Sequence, residues 1–426
     1  MLREGQRNFK FDWITILLYF LLVGFGFVNI LSASHDGEIN RLLDPSELYG
    51  KHLIFICLSV VLIILILSIE AKFYERFASV IYIIAMLALA GLFIFGKEVN
   101  GARAWYGIGS MTLQPSEFAK FATSLAVAKY ISDIQTNFND LKDQIKAAII
   151  VAIPALLILL QNDAGSTLVY AAFFFVFYRE GLQQIYLITS FALAFLAIFS
   201  LKFGVVITSL VAAAVIFGSA FLKKKRSFFN LQRFALLLLC IGFSLGVQFF
   251  YSSILKPHQQ NRISLWLRLE KDPVKLERMK KYEAYNLIQS EQAISSGRFL
   301  GKGFLEGTRT TGKFVPEQHT DYIFSTVGEE WGFLGSTAVV LLFVALVLRV
   351  LLLAERQKNQ FSRVYGYAVA SILFIHFTIN IGMVMGLIPT IGIPLPFFSY
   401  GGSGLWGFTI LLFIFIKLDS NRINEW

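Results

Sequence analysis

The stretch WITILLYFLLVGFGFVNI, residues 13–30, decides the class of fold. It is an uncharged apolar run, longer than the roughly 7–15 residues that form the core of a cleaved leader. The faintly cleavage-like ILSAS that closes it, residues 30–34, therefore reads as the end of a retained first transmembrane helix. The rest of the chain repeats the pattern. Of 426 residues only 15% are charged and 56% are hydrophobic, with 43 phenylalanines, and the mean hydropathy is +0.64. A soluble domain of this length carries far more charge, so the chain is read as an all-α polytopic integral membrane protein.

Runs close to the ~20 residues needed to cross hydrocarbon predict spans at 12–33, 51–69, 77–95, 116–131, 147–161, 165–178, 185–201, 203–221, 232–254, 321–352, 362–387 and 401–417. That makes about twelve crossings, with both termini on one side. By alternation, Arg3, Arg7, Lys10, the KKKR run at 223–226, Arg233, Arg349, Arg356, Lys358 and Arg363 fall on that same side. Basic loops face the cytoplasm, which predicts cytoplasmic termini. The net charge of +10 is then topology and lipid headgroups, with no nucleic-acid partner implied. The outer face receives 34–50, 96–115, the turn 161–164, the long segment 255–320 and 388–400. The first half of 255–320 has the spacing of amphipathic helices lying on the headgroup layer. Its second half is glycine-rich loop.

Several chemistries are excluded. Cys57 and Cys240 sit in apolar runs, so there is no disulfide framework and no cysteine metal site. Neither a phosphate-binding GxxxxGK signature nor HExxH occurs, and SYGGSGL at 399–405 misses GxSxG. What remains is an acid cluster in FVPEQHTDYIFSTVGEEWGF, residues 314–333. Asp321 stands where the long loop becomes helix. Thr320 or Asp321 could simply cap that helix, a contribution of about 0.5–2 kcal/mol. Glu329 and Glu330 follow about 12–14 Å further along at ~1.5 Å per residue. Carboxylates at membrane depth must face protein or water, and function is their default reading. A second group is Glu117 and Lys120 in QPSEFAK, 114–120, three residues apart on one helix face: a local ion pair or a cavity lining. The third is Asp163 in QNDAGST, 161–167, a tight outer turn or a site.

Five ordered blocks carry a resemblance: NGARAWYGIGSMTLQPSEFAK at 100–120, LLQNDAGST at 159–167, IQSEQAISSGRFLGKGFLEGT at 288–308, VPEQHTDYIFSTVGEEWGFLG at 315–335 and GLIPTIGIPLPFFSYGGSGL at 386–405. They resemble the SEDS (shape, elongation, division and sporulation) family, and FDWITI with FVPEQHTDYIF looks closer to its RodA branch than to its FtsW branch. The resemblance implies a single SEDS transmembrane domain over 1–426 with a ten-helix core. It implies a peptidoglycan glycosyltransferase polymerising lipid II on the outer leaflet of the bacterial inner membrane during elongation. The implied partners are a class B penicillin-binding protein that crosslinks the product and other elongation-complex membrane proteins. The implied product is undecaprenyl diphosphate. The family's essential acid maps onto Asp321, with His319 beside it, and its outer-loop tryptophan maps onto Trp105. Glu117, Lys120 and Asp163 fall in blocks that line the family's central cavity.

Two departures stand out. Twelve crossings rather than ten leave 185–221 as an extra hairpin, and residues 271–284 add charge to the long loop. The chemistry expected is one inverting displacement with Asp321 as general base. Lys120, Arg103, Arg262, Arg298 and Lys302 are the candidate cations for the leaving diphosphate. A divalent cation, Mg or Mn, could share that work on Asp163 or Glu117. The competing readings are a lipid II flippase or ion-coupled carrier using Glu329 and Glu330, the FtsW-type division paralogue, and a noncatalytic scaffold.

Overall fold

The computed structural model describes residues 11–35, 44–99, 101–109, 111–222, 230–282 and 284–422. The basic residues Arg3, Arg7, Lys10 and 223–226, on which the orientation argument leaned, lie outside them. The chain divides into two compact units, Met1–Leu182 with Asn286–Trp426, and Gln183–Tyr285.

Among the described residues, nine helices are long and apolar enough to cross a membrane. In the larger unit these are Trp13–Ser34, Leu48–Ser68, Ala71–Phe95, Leu141–Leu160, Gly332–Glu355, Gln360–Val384 and Gly402–Asn421. Gln360–Val384 and Gly402–Asn421 bury most of their surface inside the protein, whereas Ala71–Phe95 and Leu141–Leu160 turn most of theirs outward. The Pro115–Ile131 helix has 17 residues, begins with Pro115 in its first turn and is buried almost throughout. Proline fits there because its missing N–H would have had no partner.

Basic side chains close one end of this unit. Arg349 Nε donates to Asp12 at 3.2 Å, Arg356 Nε to Asp419 at 3.0 Å, and Arg363 pairs with Glu180 at 3.0 Å. Asp12 also caps the first helix through Thr15 N at 3.0 Å. The Gly332–Glu355 helix, 24 residues or ~36 Å long at 1.5 Å per residue, carries the chain to that end from the other.

In this unit one expected span, 321–352, is corrected, and two further segments gain detail. The loop 96–115 contains a three-stranded antiparallel meander, Lys97–Val99, Ala102–Ile108 and Met111–Leu113, because neighbouring strands satisfy backbone groups that would otherwise be left unpaired. The run 165–178 is helical from Ala164 to Arg179, tightening to a 3₁₀ turn at Tyr170–Ala172. The span 321–352 is split at Trp331: Ile323–Glu330 is a short separate helix, and Gly332, at φ +62°, turns the chain into the long one. The glycine-rich loop explains that split. A Cβ on Gly301 would come within 2.1 Å of the Glu330 carbonyl oxygen, so 297–301 lies backbone against backbone on 328–332. Lys302 N and Gly303 N donate to the carbonyls of Glu329 and Glu330 at 3.0 Å each.

In the second unit, helical backbone runs from Gln184 to Leu222 and is interrupted at Gly204, whose non-helical backbone (φ 81°, ψ 164°) separates two helices. Leu231–Phe249 continues into a π turn, Phe250–Ile254. The amphipathic helices expected in the long segment are Pro257–Leu267 and Pro273–Tyr282.

Candidate active site

Residues 319–321 precede the Ile323–Glu330 helix, which has Tyr322 at its cap position and no side-chain cap bond. Neither Thr320 nor Asp321 therefore occupies the cap position of that helix. Thr320 Oγ1 instead donates to the Glu317 carbonyl at 3.1 Å. The three backbone carbonyls that follow are each held by a distant part of the chain. His319 O accepts from Tyr400 N at 2.9 Å, Thr320 O from Ser399 Oγ at 2.6 Å, and Asp321 O from Asn380 Nδ2 at 2.9 Å. The same Asn380 amide donates to Ile393 O at 2.6 Å. Two of the five sequence blocks thus dock directly on one another.

This strap leaves Asp321 half-buried, with its Oδ2 next to Gly392. Gly392 sits at φ +80°, and a Cβ there would approach Oδ2 to 3.2 Å. Glycine is required on both counts. On another side of the same segment, a Cβ on Gly165 would meet Gly392 O at 3.0 Å, so the 163–165 turn lies against it. His319 stacks edge-on against Tyr400, with ring centroids 5.5 Å apart. Burial, reinforced by Lys313 and opposed by Glu317, holds the His319 imidazole below its ordinary pKa.

Asp163 is the side-chain cap of Ala164–Val169: Oδ1 accepts from Ser166 N at 2.9 Å and Oδ2 from Gln114 Nε2 at 3.1 Å. Glu117 and Lys120 pair at 2.8 Å and are 4% and 2% exposed, so they form a sealed ion pair rather than the wall of an open cavity. Lys120 Nζ also reaches His376 Nε2 at 3.0 Å and lies 4.5 Å from the Phe408 ring centre. An ammonium only donates, so His376 Nε2 accepts and its Nδ1–H is left to donate to Pro394 O, 3.3 Å away. The pair is in this way anchored to the segment that flanks Gly392. Sequence reading passed over His376; its signal was a lone histidine within the apolar run ILFIHFTI, 372–379.

The remaining candidates are less convergent. Trp105 is half-buried on the central strand, in register with Lys97. Arg103 is exposed and donates to Phe93 O at 3.3 Å, and Arg298 is exposed at φ +51°. Arg262, on Pro257–Leu267, belongs to the other unit. Lys302 is committed to Glu329 at 2.6 Å. As for a divalent cation, the Asp163 oxygens and Glu117 Oε2 are already bonded within the protein. No group of three or more metal-ligating side chains gathers among the described residues. Among the described residues, these side chains do not fit a metal centre.

Glu329 is fully buried and saturated. Its Oε1 accepts from Lys302 Nζ at 2.6 Å and Arg309 N at 3.0 Å, and its Oε2 from Thr310 N and Thr310 Oγ1 at 2.8 Å each. It clamps the 302–311 loop. Glu329→Gln would turn an amide N–H₂ toward donors and leave Lys302 without its partner. Lys302 is a quarter exposed and regains some water, so a loss of about 2–4 kcal/mol is expected. It should be read as a clear drop in thermal unfolding midpoint in detergent. An unchanged midpoint would remove the clamp assignment.

Residues 12–214 and 205–424 match the FTSW_RODA_SPOVE family model, described as "Cell cycle protein". The chain is a multi-pass membrane protein and belongs to this family, the SEDS proteins. It is 31% identical to the peptidoglycan glycosyltransferase RodA of Treponema pallidum (strain Nichols), across 97% of this chain and 98% of that one. It is also 31% identical to the peptidoglycan glycosyltransferase MrdB of Escherichia coli (strain K12), across 82% and 80%. Its fold is similar to a chain from a structure of a peptidoglycan synthase complex that coordinates polymerization and crosslinking, with a TM-score of 0.71 at 24% identity, covering 97% of this chain and 99% of that one.

Proposed function

We infer that this chain is a peptidoglycan glycosyltransferase of the elongation type, with Asp321 as general base. The observation that carries the reading is the strap on residues 319–321. Three consecutive carbonyls are pinned to residues 380–400, and the carboxylate stands beside Gly392. The 4-hydroxyl of an acceptor N-acetylglucosamine attacks the anomeric carbon of a donor N-acetylmuramic acid. The C1–O bond to the diphosphate breaks, undecaprenyl diphosphate leaves with the electron pair, and the hydroxyl proton passes to Asp321. An α-linked donor gives a β-linked product in one displacement. The hydroxyl is a poor nucleophile, so a positioned base matters.

The departing diphosphate needs cations at an accessible rim. The exposed guanidinium groups of Arg103 and Arg298 suit that work better than Lys120, which is sealed against Glu117. The bilayer keeps both lipid-linked substrates in one plane, which supplies orientation without dedicated contacts. The site faces outward and both termini face the cytoplasm. A class B penicillin-binding protein is the partner that crosslinks the strands. Residues 185–221 form an extra hairpin turned at Gly204, a reading supported by the non-helical backbone of that glycine. The ion-coupled carrier reading is weakened because Glu329, one of its two acids, holds a loop instead.

The test is direct. The chain, purified with its class B penicillin-binding protein and given labelled lipid II in detergent, should produce glycan ladders. Lipid II crossing proteoliposome membranes with no ladder formed would replace this reading with the flippase.

A further inference from the structure

The unit Gln183–Tyr285 contains a cavity of about 470 Å³ that the polymerisation chemistry leaves unused. Its lining is divided by chemistry. Phe195, Phe199 and Phe203 recur every fourth residue on the helix before Gly204, and their rings form a ladder, with centroids 5.9 and 4.5 Å apart. Trp266 joins them from the Pro257–Leu267 helix. The two charged lining residues, Lys202 and Arg268, are both cations and both exposed.

Among the described residues these cations have no carboxylate partner. Lys202 Nζ donates to the Leu267 carbonyl, near the C-terminal end of that helix, and Arg268 ends the helix in the left-handed region at φ +54°. Neither makes an ion pair among the described residues, and the nearby Glu270 is taken by Lys275 at 2.6 Å. An aromatic ladder that is largely exposed on an apolar helix has hydrocarbon as its natural neighbour. Two unpaired cations beside it select a negative headgroup. The volume falls within the range of ligand pockets, about 300–1,000 Å³.

We propose that this cavity binds a phospholipid with an anionic phosphodiester headgroup, its acyl chain along Phe195, Phe199 and Phe203 and its phosphate between Lys202 and Arg268. A planar guanidinium and an ammonium meet one phosphate from two sides, a match that a zwitterionic headgroup offsets with its own positive charge. The site is additional to lipid II polymerisation and does not depend on the Asp321 assignment.

The experiment uses the full chain in mixed micelles, with brominated phosphatidylglycerol or brominated phosphatidylcholine as quencher. The Trp266 signal is taken as the difference between wild type and Trp266→Phe. Half-quenching is expected at about 25-fold lower mole fraction of phosphatidylglycerol than of phosphatidylcholine, from about fivefold for each of the two cations. The Lys202→Gln/Arg268→Gln variant should lose that preference, and Lys202→Arg/Arg268→Lys should keep it. Should the double glutamine variant misfold, Arg268→Gln alone removes a side chain with no ion pair to lose and should cut the preference about fivefold. Equal quenching by both lipids in the wild type overturns the proposal, leaving bulk lipid contact only. A preference that survives in the glutamine variants overturns it too. Displacement by undecaprenyl diphosphate at lower mole fraction than by unbrominated phosphatidylglycerol would reassign the cavity to the substrate lipid.

Discussion

Asp321→Asn is expected to slow glycan polymerisation by about 10²–10⁴-fold, equivalent to about 3–5 kcal/mol of transition-state stabilisation. The expectation rests on two separable facts. An amide of the same shape cannot take the proton that the attacking hydroxyl must lose. The local fold, meanwhile, is held by the backbone carbonyls of 319–321, which the substitution leaves bonded to Tyr400 N, Ser399 Oγ and Asn380 Nδ2. The variant should therefore unfold where the wild type does and still bind lipid II. Asp321→Glu retains a base but pushes its carboxylate toward Gly392, where a Cβ would already stand 3.2 Å from Oδ2. It should recover only part of the rate. The measurement is the initial rate of ladder growth with lipid II in excess. A folded asparagine variant that retains more than about a tenth of the wild-type rate would remove Asp321 from the chemistry.

Much of this was legible from residue order because the strongest signals are local. An uncharged run such as 13–30 declares its own helix, and Pro115 announces the start of the helix bearing Glu117 and Lys120. The pieces that were missed depend on partners far along the chain. The three-residue strands Lys97–Val99 and Met111–Leu113 exist because Ala102–Ile108 lies between them, and three residues hold too little alternation to betray a strand. The break at Trp331 and Gly332 is set by the glycine-rich 297–301 segment lying against it, and a glycine within an apolar run does not advertise such a neighbour. Lys302 looked like a rim cation, but its charge goes to Glu329, 27 positions later. The aspartate could be marked as chemical from its motif. That its carbonyl and those of its two predecessors are tied to residues 380–400 could only be read in three dimensions.

Lys120→Met carries the second large expected effect, and the direction of its rescue decides what the buried pair is for. Lys120 and Glu117 are 2% and 4% exposed and 2.8 Å apart, and His376, 1% exposed, takes a further bond from the same ammonium. Removing the lysine leaves a carboxylate out of water with no counter-charge and His376 Nε2 with no donor. Losing one partner of a buried pair costs about 3–5 kcal/mol, so a steep fall in unfolding midpoint and in folded yield is expected. Adding Glu117→Gln removes the stranded charge. The amide introduced at position 117 and His376 Nε2 still lack partners at about 1–3 kcal/mol each, so the double variant should recover only part of the lost stability while remaining folded. Its ladder rate then separates two roles. The Lys120–His376–Pro394 chain of bonds leads to the segment beside Asp321, so a folded double variant with slow polymerisation means the pair fixes the position of Gly392 and the base. A folded double variant with wild-type rate means the pair serves helix packing alone. If Lys120→Met by itself unfolds where the wild type does, the sealed ion pair described here is wrong.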